Sequence, residues 1–298
     1  MQKKLSTDPY KGVRDFYPED MRVQNYIFSI WRKVAEQFGY VEYSASLLEY
    51  SDLYKSKGND EIINEQTYSF TDRGGREVTL RPEMTPTLAR MVAAKRKSLK
   101  FPLRWYSVPN VFRYERPQRG RRREHWQLNC DLVGIAGIEA EAEIISLAYA
   151  IMKAFGAKES DFVIKINNRI AMETALLAKG VLKKDIHALF RQWDKGGIPV
   201  GEKIEWASAI EQLLQSLKDK GILNAQFDAN IVRGFDYYTG MVFEVFDTHA
   251  DNRRSLFGGG RYDNLLEIFG VEPVPTVGFG MGDITILDFL ETHSLPLS

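Results

Sequence analysis

The chain has 298 residues, 44% hydrophobic and 27% charged, enough for one large core or a core with one smaller appendage. Lys plus Arg and Asp plus Glu both number 40, so no global field draws in nucleic acid and any such contact must come from local patches. A single cysteine, Cys130, excludes an intrachain disulfide, and four scattered histidines (His125, His187, His249, His293) show no metal-ligand spacing.

In chain order, the N-terminus MQKKLSTDPYKG lacks a signal-peptide core, and no later apolar run is long enough for a bilayer. A cytoplasmic protein with no membrane contact is the simplest expectation. Residues 19–38 place Val23, Ile27, Ile30, Trp31, Val34 and Phe38 at helical spacing, with acids in the first turn and Gly39 as the stop. Residues 67–81 read as a hairpin around Asp72-Arg73-Gly74-Gly75. Thr85 then Pro86 reads as a cap followed by proline at the first helical position, predicting a helix to about Lys97.

The stretch from Phe112 to Asp131 follows. Six arginines (Arg113, Arg116, Arg119, Arg121, Arg122, Arg123) fall within eleven residues, with Glu115 the carboxylate among them. A strict alternation comes next. His125, Gln127, Asn129 and Asp131 take one face, and Trp126, Leu128, Cys130 and Leu132 the other, which predicts a half-buried strand. Guanidinium forks suit phosphate oxygens, and a carboxylate on a pocket wall suits an amine or imidazole. A solvated basic loop and a solvent-facing strand are the plainer alternatives.

Another helix is predicted over 138–155, stopped by Gly156. From about 166 to 226 the chain reads as short helices (169–179, 183–193, 204–219) with lysine-rich surfaces, like an insertion into an α+β core. Strands resume at 228–233 and 240–247. A glycine-rich turn at Gly258-Gly259-Gly260, a short helix over 263–269, a strand near 275–280 and a helix from Asp283 complete the reading.

Three further constellations carry chemistry. Arg233-Gly234-Phe235-Asp236-Tyr237-Tyr238 sets an arginine among tyrosines and an aspartate, costly to bury without partners. Gly258 to Asp263 has glycines that let a ligand or a strand approach closely. It lacks P-loop spacing, and Gly278, Gly280 and Gly282 miss the Rossmann spacing because Asp283 follows. Glu83 in Leu80-Arg81-Pro82-Glu83-Met84-Thr85 suits either a ligand ammonium or the helix dipole.

Together with Gly12-Val13-Arg14-Asp15, these segments resemble the catalytic core of histidyl-tRNA synthetases, which are class II aminoacyl-tRNA synthetases. The resemblance covers 9–165 and 228–290. It implies an α+β fold, a mostly antiparallel sheet flanked by helices, with a short helical insertion. The expected divisions are 1–165 and 227–298 for the core, 166–226 for the insertion, and no C-terminal anticodon-binding domain. It further implies a homodimer that activates L-histidine with ATP, magnesium travelling on the phosphates, and passes it to the acceptor end of tRNA(His). Residue by residue, Arg113 and Glu115 match ATP ligands, with Arg121 joining them, and Arg113 and Arg233 match catalytic cations. Glu83, Thr85, Gln127, Asp131, Tyr238 and Tyr262 match the histidine pocket, where many relatives carry glutamate at the position of Asp131. No metal ligand is implied.

Three departures stand out. Thr285 occupies the place of the motif 3 arginine, an expected ATP contact. The motif 1 proline is absent, Ser46 standing three residues before Glu49. The chain ends at Ser298, where the anticodon-binding domain would begin. A non-catalytic relative with the same core, the regulatory subunit of ATP phosphoribosyltransferase in histidine biosynthesis, is the alternative. Arg233 with the Arg113/Glu115 pair favours the ligase.

Overall fold

A computed structural model describes residues 5–55, 66–196, 208–232 and 237–298. The N-terminal helix α1 (Pro18–Gln37) starts where expected, with proline at its first position and Asp20 accepting from the Tyr17 backbone N–H at 3.0 Å. Its apolar stripe buries Ile27, Trp31 and Val34. Strands β1 (Val41–Glu42) and β2 (Leu48–Tyr50) and the single turn α2 (Asp52–Lys55) follow. The predicted hairpin forms as β3 (Tyr68–Thr71) and β4 (Glu77–Leu80). Asp72 holds the turn by accepting from the backbone N–H groups of Gly74 and Arg76, and Gly75 takes a φ of +78°. Strands β2, β4 and β3 make a small antiparallel sheet.

The main sheet is built from β5 (Leu103–Ser107), β7 (Glu124–Val133), β8 (Phe162–Asn168), β9 (Ala225–Phe227), β10 (Met241–Asp247), β11 (Ser255–Arg261) and β12 (Thr276–Gly282) with β1. Its order is β1-β5-β7-β12-β11-β10-β8-β9, and β6 (Asn110–Phe112) also pairs with β7. All pairings are antiparallel except β1 with β5 and β8 with β9. One face carries the large core. There Leu128, Cys130 and Leu132 of β7 and Val277, Phe279 and Met281 of β12 meet α1, α4 (Ile138–Ala154) and the last helix, α8 (Asp283–Thr292). The Trp31 indole N–H points at the Met281 sulfur, 3.1 Å away. The opposite face supports α3 (Thr85–Lys95) and Tyr237, Tyr238 and Tyr262.

Within 166–226, α5 (Arg169–Ala178) and α6 (Lys183–Gly196) build a cluster of their own around Met172, Phe190 and Trp193. Helix α7 (Ser208–Asp219) joins the main core through Leu213 and Leu217, and β9 extends the main sheet.

Four sequence expectations need correction. Gly258-Gly259-Gly260 is no turn but the middle of β11, because the sheet needs its backbone closer to the neighbouring strands than a side chain allows. A Cβ on Gly259 would lie 2.7 Å from the Phe279 Cα. Of the strand expected at 228–233, the described residues 228–232 are not in a strand, which lies earlier, at β9, since Asp228 turns the chain by accepting from the Asn230 N–H. Thr85 is the first helical residue rather than a cap, and Met84 precedes it without a side-chain cap bond. Finally, β7 is half-buried only at its start. From Leu128 onward both faces are closed, one by helices and one by a cavity.

Candidate active site

The register of five strands lays two rows of side chains across the cavity face. One row runs Glu244, Gly258, Gly280, Asn129, Ser107, and the next runs Val242, Gly260, Gly278, Asp131, Trp105. Glycines occupy the middle of both rows, so the sheet dips there and polar side chains lean over the gap. A Cβ on Gly278 would collide with the Asp131 carboxylate and lie 2.7 Å from the Cys130 carbonyl, and one on Gly280 would lie 2.8 Å from the Gln127 Cδ. The glycine spacing that fails as a nucleotide fingerprint makes room for Asp131 and Gln127.

The resulting cavity of about 780 Å³ is lined by Glu83, Thr85, Arg113, Glu115, Arg121, Gln127, Asp131, Tyr238 and Tyr262. Those are all the expected site residues that lie among the described ones. Arg233, expected as a catalytic cation, lies outside the described residues.

At the inner end, Asp131 is 4% exposed and accepts a hydrogen bond from the Tyr262 hydroxyl. Burial pushes its carboxyl up to about 7, against the opposing pull of that bond. Glu83 is buried at the corner between β4 and α3 and accepts from the Tyr237 hydroxyl at 3.0 Å. Burial raises its pKa, while Arg113 and Tyr237 pull it back. Tyr237, Tyr238 and Tyr262 pack edge-on or tilted, with centroids 5.0 to 6.5 Å apart. Gln127 donates to the Asn129 side-chain oxygen at 2.7 Å.

Toward the mouth the arginine segment divides. Arg113 donates from Nε to the Pro82 carbonyl at 2.9 Å, fixing it beside Glu83. Arg121 and Arg122 line the cavity, and Glu115 faces Arg121 at 3.9 Å. Arg119 turns away to an ion pair with Asp288 of α8 at 2.8 Å. Arg123 stacks 3.9 Å over the Tyr114 ring and donates to the Glu115 carbonyl. His125 lines the cavity and is pushed down to about 3 by burial and by the nearby Arg113 and Arg14. It is therefore a neutral ring at physiological pH.

Other motif residues hold the site in place. Arg261 is buried and pairs with Glu141 of α4 at 2.6 Å. Asp263 accepts from the Thr276 N–H. Asp283, 1% exposed, accepts from Arg14 at 2.7 Å, Gln24 at 3.1 Å and the Trp126 N–H at 3.0 Å. One carboxylate thus ties the N-terminal segment, α1, β7 and α8 together. Sequence reasoning left out Tyr237 and His125 as site residues. The signals for both were present, a second tyrosine beside Tyr238 and the alternation that placed His125 on the face of Gln127.

Arginines at the mouth of a cavity that ends in a buried carboxylate suit a polyphosphate and a small nitrogenous substrate held together. A family model for histidyl-tRNA synthetase matches residues 12–200 and 198–283. The chain is 43% identical to the histidine–tRNA ligase of Leptospira biflexa over 99% of this chain and 76% of that protein. It is 41% identical to that of Thermoplasma volcanium over 98% and 76% respectively. The Leptospira alignment spans 334 positions against 298 residues here, so that relative carries segments this chain lacks. A solved structure described as an ATP phosphoribosyltransferase regulatory subunit/histidyl-tRNA synthetase from Bacillus halodurans superposes with a TM-score of 0.80 at 26% identity, covering 96% of this chain and 83% of that one. That fold fits both readings weighed from the sequence, and the curated sequence relatives named here are ligases. The chain belongs to the histidyl-tRNA synthetase family.

Proposed function

We propose that the chain is a histidine–tRNA ligase that forms histidyl-adenylate in this cavity and passes the histidyl group to tRNA(His). The observation that carries the reading is the polarity of the cavity. Asp131 lies six residues beyond His125 along β7, about 20 Å at the rise of an extended strand. The arginine-lined mouth and the carboxylate end are therefore separated by roughly the length of an amino acid joined to a nucleotide.

In this reading Asp131 accepts from the substrate imidazole N–H, with Tyr262 and Tyr238 closing around the ring and Gln127 on the wall. Glu83 and Thr85 take the α-ammonium. Leaving those buried polar groups unpaired is what excludes analogues without the ring nitrogens. The substrate carboxylate attacks the α-phosphorus of MgATP, a P–O bond to the β-phosphate breaks, and pyrophosphate leaves. Arg113 and Arg233 stabilise the charge gathering on the α-phosphate oxygens, and Glu115 and Arg121 help hold the nucleotide. Magnesium enters on the triphosphate as part of the substrate. The terminal ribose hydroxyl of tRNA then attacks the acyl carbon and releases AMP. Work as a homodimer in the cytoplasm belongs to the same proposal. Among the described residues no helix is long and apolar enough to cross a membrane.

Mixing the protein with MgATP and labelled histidine without tRNA tests the reading. We expect a histidyl-adenylate anhydride, up to one per chain. Tight histidine binding without that product would support the regulatory-subunit alternative instead.

A further inference from the structure

Thr285 puts a short neutral side chain where the family pattern supplies an arginine, and Arg254 stands beside it. We infer that Arg254, delivered from the start of β11 rather than from α8, supplies the guanidinium for the β- and γ-phosphates of ATP. The inference rests on the ATP reading of the cavity above.

Thr285 lines the cavity, but its hydroxyl is spent on backbone, donating to the Leu256 carbonyl at 2.6 Å with the Gly282 carbonyl at 3.2 Å. The first of these bonds clasps α8 to the chain two residues after Arg254. Ser255 and Leu256, which follow Arg254 directly, line the cavity, so its backbone is fixed at the rim. A Cβ placed on Gly120 would lie 3.8 Å from Arg254 Nη1 and 3.9 Å from Thr285 Cγ2. The guanidinium and the threonine methyl thus flank one point of the arginine loop, and Gly120, itself a lining residue, leaves the space between them open.

The surrounding charges favour the assignment. Arg119, next on the loop, is committed to Asp288 through Nε and Nη2 and to the Asp251 carbonyl through Nη1. Arg254 donates through Nη1 to the Arg119 carbonyl, a neutral acceptor that leaves the guanidinium its full charge. Among the described residues no carboxylate lies in ion-pair range of it. Arg121 and Arg122 line the cavity, the exposed Arg254 stands next to the lining residue Gly120, and a planar fork matches two phosphate oxygens at once.

Arg254→Ala tests this with four readouts: the ATP and histidine KM values in ATP–pyrophosphate exchange, and equilibrium binding of ATP and of AMP. Loss of a charge-assisted phosphate contact should weaken ATP about 10- to 100-fold. AMP binding and the histidine KM should stay at wild-type values, since neither ligand carries β- and γ-phosphates. Unchanged ATP affinity overturns the inference. So does an equal loss of ATP and AMP, which would make Arg254 a tether for the arginine loop only. If the wild-type protein binds ATP yet shows no histidine-dependent exchange, the ligase reading fails, and the ATP-against-AMP comparison still decides the role of Arg254.

Discussion

Near neutral pH Asp131 sits in the middle of its own titration, at about 7 against an ordinary 3.8. Its pKa is raised on folding, so between those values the folded chain binds more protons than the unfolded one. Stability therefore falls as pH rises through that window, by a few kcal/mol in the limit. In the proposed reading, a bound imidazole would reverse the penalty by giving the carboxylate a donor. Asp131→Asn should accordingly melt higher than the parent at pH 8, with the gain vanishing near pH 4, and should bind histidine about 100-fold less tightly. Thermal melts across pH with titrations of histidine check both, and a melting difference independent of pH would refute the buried-charge argument. Asp131 and Gln127 were legible from the alternation that begins at His125. The Tyr237 bond to Glu83 was not, because its partners are 154 positions apart and no local pattern encodes that distance.

The elements explain why some motifs misled. Triple glycine reads as a turn by local propensity, yet in β11 it answers a tertiary demand, with β10 on one side and β12 on the other. The alternating glycines of β12 are unreadable until their register with Asp131 and Gln127 is known. Gly280→Ala would push mainly on the Gln127 side chain, so we expect a folded protein whose histidine KM rises at least tenfold with the ATP KM within about twofold. Equal changes in the two would mean that the glycine serves the sheet and not the pocket. Helix α8 has the opposite logic. Its first residue, Asp283, sits where the Rossmann spacing wanted glycine and instead gathers Arg14, Gln24 and the Trp126 N–H. Asp283→Ala strands a partly buried guanidinium and should cost about 2–4 kcal/mol of stability in urea denaturation. A loss under 0.5 kcal/mol would show the junction to be redundant.

For the whole molecule, the α+β class was readable in part because long periodic segments such as α1 and α4 sit close to their predicted bounds, while the mostly antiparallel sheet was implied by the family resemblance. The order of the main sheet was not readable, since pairings such as β7 with β12 and β8 with β10 join strands that lie far apart along the chain. Only that order carries the arginine segment, the Glu83 corner, the tyrosines and the glycine strands to one cavity. Within the block 166–226, expected as a short helical insertion into the core, α7 packs its leucines into the main core. In the proposed ligase, paired polar groups at the inner end would single out histidine, and guanidinium groups at the mouth would take ATP. Exchange of labelled pyrophosphate into ATP, run with each of the twenty amino acids in turn, reads both ends at once. Histidine alone should drive exchange; exchange with another amino acid, or none with histidine bound, would contradict the assignment of this cavity.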